Sequence, residues 1–543
     1  IVGEKTLKVF YKYIDKFESF FLRKEVLVFL LICFSGILIY KRIIWDKGVS
    51  PLIQSDSQIK LYQTIEYKIH GLNSHSCYLL DNSIDTQFEF YPFRYPWAFF
   101  STNEVGNKTC VFQYPSFFSQ FFSLLPFKYQ FFNLIILLLY LFVCLVLIFS
   151  LKYILNLKSL EYALLCGVFF LVGYGITSAF EFSESVPAHL FLSIWFFAVL
   201  AIDLNKIIPN YLMFLIGFVG GISIFLRSES IIYIGITGLV SVYFYRNDFL
   251  VLIKKYFFLF IGLLFSILLF AYYNESQFGE IFGVRSKISL IDFTRLNFTE
   301  RSHLVKEFFI GNENRIGFLF YCFPSISFFV YSVFKTEFSI IQKKVLSITV
   351  LSFVCIVLLS PYSSGGLYAG MRFTEFSYLL ITIYACITIV SEKDVSKRRI
   401  FVLFVLLQIF LGIYHVRKNI RNLDYIKKYH EIYQSKLDEF PEAPVLHLST
   451  FDLLLISDSF LKKPHWIVNH QKKFEMMEEK LREKGISRFQ VFVYDFVPPK
   501  DDNVTDEFYK EWINTKFEIK SKYYEKQRDE KIAGFRLMLW KMK

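Results

Sequence analysis

Residues 131–151 read Phe-Phe-Asn-Leu-Ile-Ile-Leu-Leu-Leu-Tyr140-Leu-Phe-Val-Cys-Leu-Val-Leu-Ile-Phe-Ser150-Leu and contain no Asp, Glu, Lys or Arg. A run of that length matches the roughly 20 apolar residues a helix needs to cross the hydrocarbon core, where lipid offers the backbone no hydrogen-bond partner. Similar runs lie at 26–44, 162–180, 185–202, 207–226, 230–245, 256–274, 316–334, 345–360, 374–390 and 400–416. The reading is an α-helical polytopic membrane protein with about 11 transmembrane helices. Composition agrees: 54% of the 543 residues are hydrophobic, 67 are Phe and 35 are Tyr. A net charge of +12 could point to nucleic acid, but the bases fall in short clusters between uncharged runs, so no nucleic-acid partner is expected. Disorder, a collagen-like repeat and a small disulfide scaffold are excluded by the same numbers.

Two spans carry charge: Lys41 and Arg42 near the end of 26–44, and Glu375 in 374–390. Such groups must snorkel or face a polar cavity. No cleavable signal peptide is expected, because the first apolar run lies beyond residue 25 and lacks a small-residue cleavage site. The short loops set orientation. With residues 1–25 inside, the inner segments hold Lys152, Lys206, Arg246, Lys254, Lys255, Lys343, Lys344 and Lys393, whereas the short outer turns hold only Arg227 and Arg372. That asymmetry is a positive-inside pattern. It puts two long loops, 45–130 and 275–315, outside, together with everything after residue 416.

After Tyr414 the composition changes. Basic helical sequence over 415–439 leads to Pro441-Glu-Ala-Pro444 and then to alternating patterns. Strands are predicted at Val445–Leu448, His465–Val468, Phe489–Tyr494 and Phe535–Trp540, with helices over Phe451–Leu461 and Gln471–Lys484. Residues 417–543 thus read as a small α/β domain outside the membrane. Cys77 and Cys110 share the first outer loop and could pair in an oxidising compartment, while the other cysteines fall in spans as small apolar fillers. The aromatic series Phe88, Phe90, Tyr91, Phe93, Tyr95, Trp97, Phe99 and Phe100 reads as an interfacial belt.

The derived topology sends most of the chain's isolated ionic groups to one rim. Asp56 follows the first span, Glu181 and Glu184 occupy the turn after the third, and Arg227 with Glu229 interrupts two apolar runs. Glu275 and Arg285 open the second long loop, and Arg372 and Glu375 follow the small-residue stretch 363–370. Arginines at a membrane surface suit a lipid-linked phosphate, which guanidinium binds bidentately. A neighbouring carboxylate could deprotonate an acceptor hydroxyl while the phosphate departs. The bland alternatives are a helix N-cap for Asp56, a solvated turn for Glu181 and Glu184, and an interface pair for Arg227 and Glu229.

This layout, an acid after the first span, acids after the third and an Arg-x-Glu outer turn, resembles the GT-C class of integral-membrane glycosyltransferases. More narrowly it is similar to glycosyltransferases of that class in Leptospira. The resemblance implies sugar transfer from a polyprenyl-phosphate donor to a lipid-linked glycan, lipopolysaccharide or protein, outside a bacterial inner membrane, with the C-terminal domain periplasmic. It implies Asp56 as catalytic base, Glu184 or Glu181 as second acid, and Arg227, Arg372 and Arg285 on the donor phosphate, with Glu229 and Glu375 completing the rim. Ser57 follows Asp56 where that class often has a second acid, and no Asp-x-Asp is present, so no metal or other cofactor is expected. A lipid-linked sugar flippase and an inactive scaffold are the alternatives. The charges gather at one face and no internal repeat is evident, unlike the usual transporter plan.

Overall fold

A computed structural model describes residue 23, residues 26, 27, 29–31 and 33, and residues 55–543 apart from 82, 95–96, 103–107, 156–159, 174, 313–314, 335–337, 363–371, 450–451, 454–457, 495–516 and 533. Most of the expected span 26–44 and the small-residue stretch 363–370 lie outside the described residues. The chain divides into two compact units, residues 1–47 with 131–421, and residues 48–130 with 422–543.

The first unit is a helical bundle. Among the described residues, Phe132–Tyr153, Ser185–Asp203, Phe249–Phe278, Ile340–Leu359 and Val395–Leu437 are long and apolar enough to cross a membrane. Shorter apolar helices run over Leu160–Leu171, Asn210–Leu226, Ser230–Phe244, Phe323–Phe334 and Glu375–Ser391. Two expected spans are broken. The run 162–180 is not one helix: it stops at Leu171 and resumes only as one turn, Ile176–Ala179. Gly173 and Gly175 lower helix propensity at the break, and a Cβ at Gly173 would sit 2.3 Å from the Tyr378 ring. The run 316–334 divides at Cys322 into Phe318–Tyr321 and Phe323–Phe334, and Pro324 lies in the first turn of the second piece, where its missing N–H costs no helix bond.

Small residues bring two helices into backbone contact. A Cβ at Gly217 would lie 1.9 Å from the Leu259 carbonyl oxygen, and one at Gly262 would lie 1.9 Å from that of Phe214. Gly221, one turn on, meets Ser266 in the same way. This is the close packing that small residues permit between apolar helices in lipid. The Glu375–Ser391 helix is buried along almost its whole length, so its charged first residue faces protein and not lipid.

The second unit is built on a five-stranded sheet. His465–Ile467, Val445–His447 and Arg488–Tyr494 run parallel, and Phe535–Met542 and then Tyr524–Ile532 continue the sheet antiparallel. The Tyr524–Ile532 strand was not predicted. It is an almost continuous run of charged residues on an edge, so it lacks the apolar signature of a buried strand. Where a helix was expected over Phe451–Leu461, the described part ends in a single 3-10 turn, Ser459–Leu461. The amphipathic helix Gln471–Glu483 buries Phe474, Met477 and Leu481 in a core with Trp466, Phe489 and Trp540.

The aromatic loop completes this core, which corrects the interfacial-belt reading. Phe90, Tyr91 and Phe93 are fully buried, and Phe88 and Trp97 nearly so. They pack with Tyr62, Tyr433, Phe460 and Phe492, and the Phe90 carbonyl accepts from the Ile467 amide at 2.8 Å. Cys77 and Cys110 form a disulfide with Cα atoms 5.3 Å apart, tying the loop to the hairpin Ala98–Thr102 and Lys108–Phe112.

Candidate active site

The bundle carries a cluster of buried ionic groups where several helices begin or end. Arg227 follows the last residue of the Asn210–Leu226 helix, in extended conformation, and Glu229 immediately precedes the Ser230–Phe244 helix. Glu184 immediately precedes Ser185–Asp203. Glu375 opens Glu375–Ser391. Three carboxylates therefore sit at helix N-termini, where the first-turn amides and the macrodipole favour negative charge. Desolvation would otherwise make them costly at 0–12% exposure.

The guanidinium of Arg227 joins these elements. Its Nε donates to Glu229 at 2.7 Å, Nη2 also meets Glu229, and Nη1 lies 3.6 Å from Glu184. The Phe373 ring lies 5.7 Å from the guanidinium carbon. Glu375 accepts from Ser178 at 2.5 Å and faces Nδ1 of His189 at 3.7 Å. Tyr233 shares a 2.9 Å hydrogen bond with Ser377 and donates to the Phe373 carbonyl at 3.3 Å. Arg285 reaches the same wall: Nη2 donates to the Tyr362 hydroxyl at 3.4 Å, and the Tyr362 ring packs edge-on to Phe373 at 5.1 Å.

Among the expected site residues, Glu184, Arg227 and Glu229 are brought into direct ionic contact, Glu375 joins them through the neighbouring polar residues, and Arg285 connects through two aromatic rings. Glu181 is buried in the turn after the short Ile176–Ala179 helix. Arg372 starts the 3-10 turn Arg372–Thr374 that leads into Glu375, and its side chain lies outside the described residues.

Asp56 belongs to the other unit. It lies inside the first turn of the Ser55–His70 helix, so it is not the residue that caps it. Its carboxylate accepts from the Tyr114 hydroxyl. Lys60, one turn along and 1% exposed, stands with its ammonium 4.7 Å from the Tyr114 ring. In the same helix Gln63 accepts from Ser119 at 3.0 Å. The acids Asp81 and Asp85 are occupied by backbone: Asp85 accepts the Glu89 and Phe90 amides at 2.7 and 2.9 Å, and Asp81 that of Ser83 at 2.8 Å.

Sequence reading missed His189, Tyr233, Ser178, Lys60 and Tyr114. His189 had a signal, being a titratable group inside an otherwise apolar run. The hydroxyl residues had none, because Ser and Tyr are common in such helices.

No family model matches the chain, and no curated protein does. Among solved structures, the crystal structure of ArnT from Cupriavidus metallidurans bound to undecaprenyl phosphate is similar to it. The match covers 95% of this chain and 97% of that one at a TM-score of 0.53 and 10% identity. The two share a fold.

Proposed function

We propose that the chain is a GT-C glycosyltransferase that takes a sugar from a polyprenyl-phosphate donor. The acceptor is a lipid-linked glycan, lipopolysaccharide or protein on the outer face of a bacterial inner membrane. The observation that carries this reading is the buried Glu184–Arg227–Glu229 cluster, with Glu375 and His189 beside it, at one end of an apolar bundle with the fold of ArnT. ArnT was crystallised with a polyprenyl phosphate, and a lipid-linked donor fits an apolar bundle with cations at one end.

In this reading Asp56 takes the proton from the acceptor hydroxyl, and the hydroxyl oxygen attacks the anomeric carbon. The bond from that carbon to the phosphate oxygen breaks, and the electron pair leaves with the phosphate. Arg227, Arg285 and Arg372 balance the charge developing there. Phosphate binding exchanges the longer 3.6 Å contact of Arg227 with Glu184 for a phosphate oxygen and keeps Glu229 as the residue that orients the guanidinium. Glu184, with Glu181 near it in sequence, is then available to hold a sugar or acceptor hydroxyl. The disulfide suits an oxidising compartment, in keeping with an outer position for the second unit.

The test is transfer of a labelled sugar by purified protein. Asp56→Asn and Arg227→Gln are expected to insert and fold yet lose transfer by at least about a hundredfold, the scale of removing a general base or a transition-state charge partner. Wild-type rates in folded Asp56→Asn would overturn the assignment of the base.

A further inference from the structure

The bundle has a second feature that the transfer site does not use. A cavity of about 660 Å³ lies between the Ser185–Asp203, Ser230–Phe244 and Phe249–Phe278 helices, lined by residues such as Trp195, Ile234, Val242, Leu252 and Tyr256. Two more of its lining residues are Gly235 and Gly238, and a Cβ built at either meets nothing within 4 Å. These glycines therefore do not serve helix packing, unlike Gly217 and Gly262. Their effect is to keep the groove open. Along the groove Ile234 to Val242 spans roughly 12 Å of helix, enough for the inner part of a lipid chain.

The groove has a polar, basic end. The Ser230–Phe244 helix starts beside Glu229 and finishes at the connection 245–248, so this end is the opposite one from the Arg227 cluster. Asp203 there is held by Lys344, Tyr256 and, at 3.2 Å, Tyr245, and Lys255 donates to Asn205 at 2.7 Å. At this end exposed Arg246 lies over the Tyr243 ring at 4.9 Å, and half-buried Lys255 reaches the Tyr245 hydroxyl at 3.4 Å, against the single acid Asp248 of that connection. An apolar slot ending in surplus positive charge is complementary to a lipid with an anionic headgroup.

We propose that this groove holds one acyl chain of an anionic phospholipid whose headgroup phosphate is met by Arg246 and Lys255. The site lies at the far end of the bundle from the transfer cluster and does not depend on the sugar-transfer reading.

Trp195 provides the probe. It lines the groove yet is only 5% exposed, so lipid that merely rings the bundle reaches it poorly. Full-length protein is reconstituted with chain-brominated phosphatidylglycerol or chain-brominated phosphatidylcholine, and the quenching due to Trp195 is taken as the difference from Trp195→Phe. The proposal expects stronger quenching by phosphatidylglycerol, with the preference weakened roughly fivefold by Arg246→Gln. Filling the groove with Gly238→Phe should remove most of the quenching, and Gly235→Leu is the second filling variant should the first not fold. Equal quenching by the two lipids would overturn the proposal, as would quenching that survives a folded filling variant.

Discussion

Arg227 is 3% exposed and ion-paired with Glu229 and Glu184, so both carboxylates are compensated only while Arg227 remains. Truncating Arg227 leaves two buried carboxylates uncompensated, whereas removing Arg227 together with Glu184 leaves only Glu229. Arg227→Ala is therefore expected to cost about 3–5 kcal/mol in detergent unfolding, and the double variant with Glu184→Ala less than the sum of the single changes. Additive losses would mean that the two side chains do not interact. The charged members of this cluster were legible because ionic residues interrupting apolar runs have few places to go. His189, Tyr233 and Ser178 were not, since their role comes from helices far apart in sequence. Tyr233 meets Ser377 and Ser178 meets Glu375 only after the bundle forms.

At the scale of single elements, glycines divide into two kinds that sequence cannot tell apart. Gly262→Leu forces a side chain into the Phe214 carbonyl and is expected to cost more than about 3 kcal/mol, whereas Gly238→Ala should be neutral or gain up to about 1 kcal/mol of helix propensity. Unfolding titrations of the two variants in one detergent check this contrast. The disulfide closes a loop of sequence separation 33, for which chain entropy gives roughly 3–4 kcal/mol. Cys77→Ser should lower the melting point of the second unit accordingly. In that unit His447 and His465 lie on adjacent strands, joined ring to ring at 2.7 Å. Burial pushes His447 down to about 3 and His465 well below its usual value. Both are neutral when folded but take up a proton when unfolded below about pH 6.5, so stability falls as pH drops from there towards 3. Each contributes a slope of up to ~1.4 kcal/mol per pH unit. Urea unfolding at pH 7 and pH 5 should show the loss, and replacing both with Leu should flatten it. The aromatic loop was misread at this scale because a run of Phe and Tyr looks the same whether it faces lipid or a sheet. The partner that buries it lies more than three hundred residues away, at Phe460 and Phe492.

For the whole molecule, composition and the spacing of uncharged runs gave the helical membrane class and most of the helices. They missed the breaks at Gly173 and Cys322, although Gly173, Gly175 and Pro324 weaken the helix locally there. The α/β character of the C-terminal segment was also visible in its alternation. That residues 48–130 and 422–543 form one compact unit was hidden, since no local pattern marks two distant segments as partners.

The most direct test of the account is a vesicle assay with purified protein and a polyprenyl-phosphate sugar labelled in the sugar. Covalent attachment of the label to an added acceptor, lost in Arg227→Gln, is the predicted result. Label that crosses the bilayer still joined to its lipid, with no new glycosidic bond, would contradict it and make the protein a carrier.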